Sequence, residues 1–346
     1  MLDKKSWFVG LRKSILIYGA LFIFGCNGKD DNPDVSSITV SFHINRFEQD
    51  LFAIDPNNPL QGTEQLKNKY GNFYNLYIYQ ITSLGTRDSI ETAHRIADFI
   101  ADTNFRQVYS SCESQFSDFT KYKEELKKSF RYYSYYFPGK EIPDIVTMIS
   151  GFSYPVICDS SILGISLDMY LGSSNPYYST IEPPLPIYLR SRMRPEYIVN
   201  DAMKGWAASD YTFDESTARM IDFMISNGKL LYFLGKVLPD EPDTIKTGYT
   251  KTQLDWCYSN EKQIWSFFIE NKLLFSIDPN LMNKYVNDGP TTNGFPKESP
   301  GNIGQFIGWQ IVTSYMKNHP EVSLQELMEQ NDLIKIFNES KYKPAI

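Results

Sequence analysis

Apolar and polar positions alternate cleanly from Ser37 to Asn45. Ile38, Val40, Phe42 and Ile44 fall on one face, and Thr39, Ser41, His43 and Asn45 on the other. A period of two marks a half-buried strand. Asn45 with Glu48 three residues on then has the form of a capping box, with Phe47, Leu51 and Phe52 as the apolar face of a short helix. From about residue 60 to 136 the apolar spacing becomes three and four, which predicts helices packed through Phe99, Phe105, Phe116, Phe119 and Phe130. Pro138-Gly139 ends that segment.

The pattern changes again in the middle of the chain. Residues 144–149 (DIVTMI), 155–158 (PVIC) and 162–167 (ILGISL) are short β-branched runs punctuated by Gly151, Pro155 and Asp159-Ser160-Ser161. They predict two or three strands of a small sheet that the 37–45 strand joins. The stretch Pro176 to Pro186 reads as a surface crossing. From Pro195 onward helical spacing dominates. Thr212-Phe213-Asp214-Glu215 has the capping-box form before a long apolar run to Leu238. Thr250 opens a helix that carries Leu254, Trp256, Ile264, Trp265, Phe267 and Phe268. Asn302 with Gln305, and Ser323 with Glu326, open two more. The fold class expected is α+β, mostly helical with one small mixed β-sheet.

The first 26 residues follow a different logic. Lys4, Lys5, Arg12 and Lys13 precede an apolar run from Ile15 to Phe24, which ends in Gly25-Cys26. About ten apolar residues are too few to cross a hydrocarbon core, which takes about 20, but they suit the h-region of a signal peptide. A small residue directly before a cysteine is the cleavage pattern of a bacterial lipoprotein. Residues 1–25 are therefore expected to be a signal peptide, with Cys26 the lipidated N-terminus that anchors the chain to a membrane. Residues 26–36, polar and rich in Asn, Asp, Gly and Ser, read as a flexible tether. Residues 37–346 form the globular domain.

Charge and cysteine content narrow the function. The net charge is −7, and removal of residues 1–25, with four basic and one acidic side chain, moves it to −10. An acidic chain is a poor partner for nucleic acid. Cys112, Cys158 and Cys257 lack metal-ligand spacing and read as free thiols, while His43, His94 and His319 are far apart in sequence. No cofactor is expected.

Other motifs read more simply as structure. Ser299-Pro300-Gly301-Asn302-Ile303-Gly304 opens a helix but lacks the spacing of a phosphate loop. Gly304 and Gly308 would allow close packing on one helix face. Asp168 reads as a group that caps the following turn or bonds to Tyr170, with a catalytic acid as the alternative, and Asp159-Ser160-Ser161 reads as a hairpin turn without a histidine partner. The cluster Tyr132-Tyr133-Ser134-Tyr135-Tyr136-Phe137 offers rings for stacking a glycan or peptide, although aromatics at helical spacing more often pack helices. Trp256 and Trp265 read as core residues. Asp88-Ser89-Ile90 and Asp243-Thr244-Ile245 resemble short O-glycosylation sites.

Longer phrases carry a family resemblance: HINRFEQDLF, LGISLDMYLG, GKLLYFLGKVLPD, GYTKTQLDWCYSNEKQIWSFFIENKLLFSID and ESPGNIGQFIGWQIVTSYMKN. Together, over about Ile38 to Pro344, they resemble the gliding motility lipoprotein GldB family of the Bacteroidetes. The resemblance implies a lipoprotein of the cell envelope that faces the periplasm and works with gliding or secretion proteins. Lys29-Asp30-Asp31 resembles an acidic signal for export to the cell surface, which is the alternative location.

That family in turn looks distantly like zinc peptidases with His-Glu-x-x-His on one helix and a glutamate on a later one, and so implies a degenerate zincin-like architecture. Two histidines at i and i+4 share a helix face and bind zinc, while the glutamate activates water. The resemblance places Asn200, Asp201 and Lys204 on the first motif and Asn227 on the second. An amide, a lysine and another amide then replace the metal ligands, and Asp201 takes the position of the general base. The reading is a non-catalytic envelope lipoprotein that acts through protein contacts. A glycan- or peptide-binding lipoprotein and an active zinc hydrolase are the alternatives.

Overall fold

A computed structural model describes residues 32–86, 89–159 and 161–344. The expected signal peptide, Cys26 and most of the tether lie outside the described residues, as do Asp88 and Ser160. The compact unit begins at Pro33. Val35 is buried in its core, so the body already takes in the last residues of the 26–36 stretch.

The three apolar runs of the middle segment become β2 (Asp144–Met148), β3 (Val156–Asp159) and β4 (Ile162–Ser166). With β1 (Ile44–Arg46) they form one mixed sheet in the order β1-β2-β4-β3. β1, β2 and β4 run parallel, with Ile44 opposite Ile145 and Val146 opposite Gly164; β3 returns antiparallel to β4. Ile145, Val146, Thr147 and Met148 are all buried, as are Leu163, Gly164, Ile165 and Ser166. Parallel strands covered on both faces need such continuous runs.

The helices Pro59–Tyr70, Ile90–Ala101, Thr103–Phe116 and Thr120–Tyr136 lie between β1 and β2. Parallel strands cannot be joined by a tight turn, so this long helical crossover is what the topology requires. Phe116 and Phe130 are fully buried there, and Phe47 meets Tyr70, Phe73 and Tyr77 edge-on or tilted. The C-terminal half is helical, and its helices Met220–Val237 and Ile303–Asn318 cross at Gly228 and Gly308. A Cβ on Gly308 would lie 1.6 Å from the carbonyl oxygen of Met224, so the two backbones touch.

Four local expectations are corrected. Only the end of the 37–45 alternation pairs in the sheet; residues 38–43 are not strand, although Val40 is buried and Phe42 meets Phe130. Asn45 pairs in β1 and cannot cap, so the helix starts at Phe47, where Glu48 is its second residue. The 212–215 motif stays outside helix, and the Met220–Val237 helix begins after Arg219, whose backbone N–H donates to Asp222. The helix from Thr250 breaks at Asn260 into Lys251–Ser259 and Glu261–Glu270. The boxes at Thr250/Gln253 and Ser323/Glu326 do form.

Candidate functional site

The helix Ile198–Asp210 buries Ile198, Ala202, Met203 and Trp206. Its neighbouring stripe, Asp201, Lys204, Gly205 and Ala208, repeats at three and four residues and so shares one face. That stripe lines a cavity of about 470 Å³, within the usual size of small-molecule sites. A Cβ on Gly205 would lie 2.8 Å from Val156, so the helix rides close on β3. The other walls are largely apolar and come from Val156, Met169, Leu185, Leu189, Met193 and Leu230.

Charge is concentrated at one end, where Arg192, Asp288, Asp201, Lys204 and the Tyr170 ring reach the lining. Arg192 donates to Asp288 at 2.5 Å. Tyr170 donates its hydroxyl to one oxygen of Asp201 at 3.1 Å, and the Asn200 amide donates to the other, also at 3.1 Å. Lys204 is half-buried and makes no ion pair within 4 Å among the described residues.

Burial decides the protonation of Asp201 and Lys204. It raises the Asp201 carboxyl above its ordinary value, against the Asn200 hydrogen bond and the Lys204 charge. It lowers the Lys204 ammonium, against the attraction of Asp288 and Asp201. Burial also opposes ionisation of Asp288, but the Arg192 charge and hydrogen bond together outweigh it and hold that carboxyl below its usual range. Opposed shifts in a cleft mark a candidate site.

These donors do not fit a catalytic zinc. Zinc takes imidazole, thiolate or carboxylate ligands at about 2 Å, whereas Lys204 contributes a cation. Asn200 is 3 % exposed, and its buried carbonyl oxygen has no hydrogen-bond partner. Asn227 is half-buried on the Met220–Val237 helix and does not line the cavity. Among the described residues no group of three or more His, Cys, Asp or Glu is placed to hold a metal ion.

The cavity thus brings together Asp201 and Lys204, and adds Tyr170, Arg192 and Asp288, which pattern reading missed. Arg192 lies just after the short helix Ile187–Arg190, in the crossing formed by residues 185–194, and Asp288 just before Gly289-Pro290; neither position carries a periodic signal.

The remaining candidates resolve into packing or local structure. Asp168 is fully buried and accepts the backbone N–H groups of Ser150 and Phe152, at 3.1 and 2.7 Å, rather than a bond from Tyr170. Glu48, also fully buried, accepts from Arg46 at 2.5 Å and from Thr147 at 2.7 Å. Gly301 and Gly304 each abut backbone, of Gly289 and Tyr285 respectively, so that glycine-bearing turn is a packing device. Tyr132, Tyr133 and Phe137 are buried and only Tyr135 is well exposed, so most of that aromatic cluster is helix packing. Trp256 and Trp265 pack against the core as expected. Cys112, Cys158 and Cys257 are free thiols. Asp243-Thr244-Ile245 is part of the short helix Asp243–Thr247.

Comparison with known proteins adds one finding. Residues 28–344 match the family described as gliding motility protein GldB. No curated protein and no solved structure matches the chain.

Proposed function

The chain belongs to the gliding motility protein GldB family of envelope lipoproteins, and from that membership we propose that it acts without catalysis, as an anchored scaffold that binds other envelope or secretion proteins. The anchor is the lipid on Cys26, and the body faces the periplasm. On this reading the cavity at Asp201 and Lys204 is the remnant of a zinc-peptidase site.

The observation that supports it is the substitution of a lysine where that chemistry needs a ligand. An ammonium near a divalent cation is repelled, and a metal-activated water needs a cation that lowers its pKa. Asp201 is held by Tyr170 and Asn200, and among the described residues it belongs to no group of three or more His, Cys, Asp or Glu placed for a metal. The charged end then ties Arg192 of the 185–194 crossing to Asp288, and Asp201 of the 198–210 helix to Tyr170.

Replacement of the chromosomal copy in a gliding host tests the reading. Asp201→Asn keeps the shape of the side chain and removes general-base chemistry. Gliding and protein level are expected to match wild type. Lost gliding with an undiminished, folded and lipidated protein would overturn the non-catalytic reading.

A further inference from the structure

The 185–194 crossing separates two cavities. Leu185, Leu189 and Met193 line the one described above, while Arg190, Ser191 and Arg194 line a cleft of about 690 Å³ on the other side. That cleft collects three cations, Arg190, Arg194 and Lys251, with no carboxylate in its lining, in a chain whose net charge is −7. Such a local reversal of charge raises the concentration of anions at the cleft.

The protein supplies little neutralisation of these cations. Arg190 has no ion-pair partner among the described residues, and the carboxylate of Glu196 stands 3.9 Å from Arg194. The Nε–H groups of both arginines are shielded from solvent and lack an acceptor. Arg194 lies over the Tyr197 ring at 5.4 Å, which orients its guanidinium plane. Lys251 pairs with Asp255 at 2.7 Å, but that pair is exposed and therefore weak.

A second device points the same way. Lys251 is the first residue of the Lys251–Ser259 helix, and Thr250 caps it. The capping box takes the N–H groups of Thr250 and Gln253, and those of Lys251 and Thr252 in the first turn favour an anion. Ser173, Ser174, Ser191 and Thr244 add hydroxyls around the cleft. Ser191 already donates its hydroxyl to the Tyr188 carbonyl, which leaves its oxygen as an acceptor.

We propose that this cleft binds a phosphorylated sugar, with its phosphoryl oxygens between Arg190 and Arg194 at the N-terminus of the Lys251–Ser259 helix. Two guanidinium forks, an ammonium and a helix terminus match a dianion with three acceptor oxygens better than a single carboxylate. The cleft is also far larger than a bare phosphate, and its serine and threonine hydroxyls suit a hydroxylated carrier.

Calorimetric titration of the full chain with glucose 6-phosphate, glucose and inorganic phosphate tests this. Glucose 6-phosphate is expected to bind at least about tenfold more tightly than either of the others, and to weaken as salt rises. The double variant R190A/R194A is expected to lose about tenfold or more. R190K/R194K, which keeps the charge and removes the forks, loses affinity with an unchanged circular dichroism spectrum. K204A, in the adjoining cavity, binds as wild type.

Equal affinity for glucose and its phosphate, or full binding by a folded R190A/R194A, would overturn the proposal. So would inorganic phosphate that binds as tightly as the sugar phosphate. Phosphatidylglycerol vesicles form the last arm: a Cys26→Ala chain that sediments with them, loses that sedimentation when R190A/R194A is introduced, yet ignores the sugar phosphate would assign the cleft to a lipid headgroup instead.

Discussion

Asp168 shows how one side chain can carry a structural duty that its sequence context only half reveals. It stands at the end of β4 and ties down the loop after β2 through the N–H groups of Ser150 and Phe152. Burial pushes its pKa up to about 6, against the pull of those two hydrogen bonds. Its unfolded value is near 3.8, so between pH 4 and 6 the unfolded chain releases a proton that the folded chain retains. The stability from this group is full below about pH 4 and is lost as pH rises through 6, on the order of 3 kcal/mol in all. Glu48 shifts in the same direction, because burial outweighs Arg46. Asp168→Asn is therefore expected to be less stable at acid pH and to lose less stability between pH 4 and 6. Urea denaturation across that range checks it, and an unchanged slope would refute the assignment. A hydrogen-bonding role for Asp168 was legible; its partners were not, since it holds the loop after β2 rather than the following turn or Tyr170. Glu48 was misread for a local reason, because the strand claimed Asn45 and moved the helix start.

Elements were legible where their periodicity was long and misleading where tertiary pairing decided. The β-branched runs at 144–148 and 162–166 became strands because central parallel strands demand apolar residues on both faces, and the run at 156–159 became the half-buried antiparallel edge. The alternation at 38–43 has the same local appeal, yet only residues 44–46 find a neighbour in β2. Gly304 and Gly308 read correctly as contact positions, whereas Gly228, the partner of Gly308, was not singled out by the pattern. Gly228 and Gly308 meet backbone to backbone. In an exposed helix, glycine to alanine gains about 1 kcal/mol. At Gly308 the new methyl would strike the Met224 carbonyl, so Gly308→Ala is expected to cost about 3 kcal/mol or more by forcing the helices apart. A denaturation midpoint equal to or above wild type would refute this close crossing.

Across the whole molecule, the α+β class and the family were readable from the chain, because both rest on extended patterns. The site was only partly so. Asp201 and Lys204 share a helix turn, but Tyr170, Arg192 and Asp288 reach them from three other segments, and no spacing rule connects those positions. Asn227 lies on the expected helix and outside the cavity. On the reading proposed above, this charged cavity holds structure rather than a catalytic metal. Elemental analysis of the purified full chain, refolded with excess zinc and then dialysed, tests it most directly. Wild type and an N200A/D201A/K204A variant are expected to retain the same background trace of zinc, far below one ion per chain. About one zinc per wild-type chain, lost in the variant, would contradict the account and return the site to the metallopeptidases.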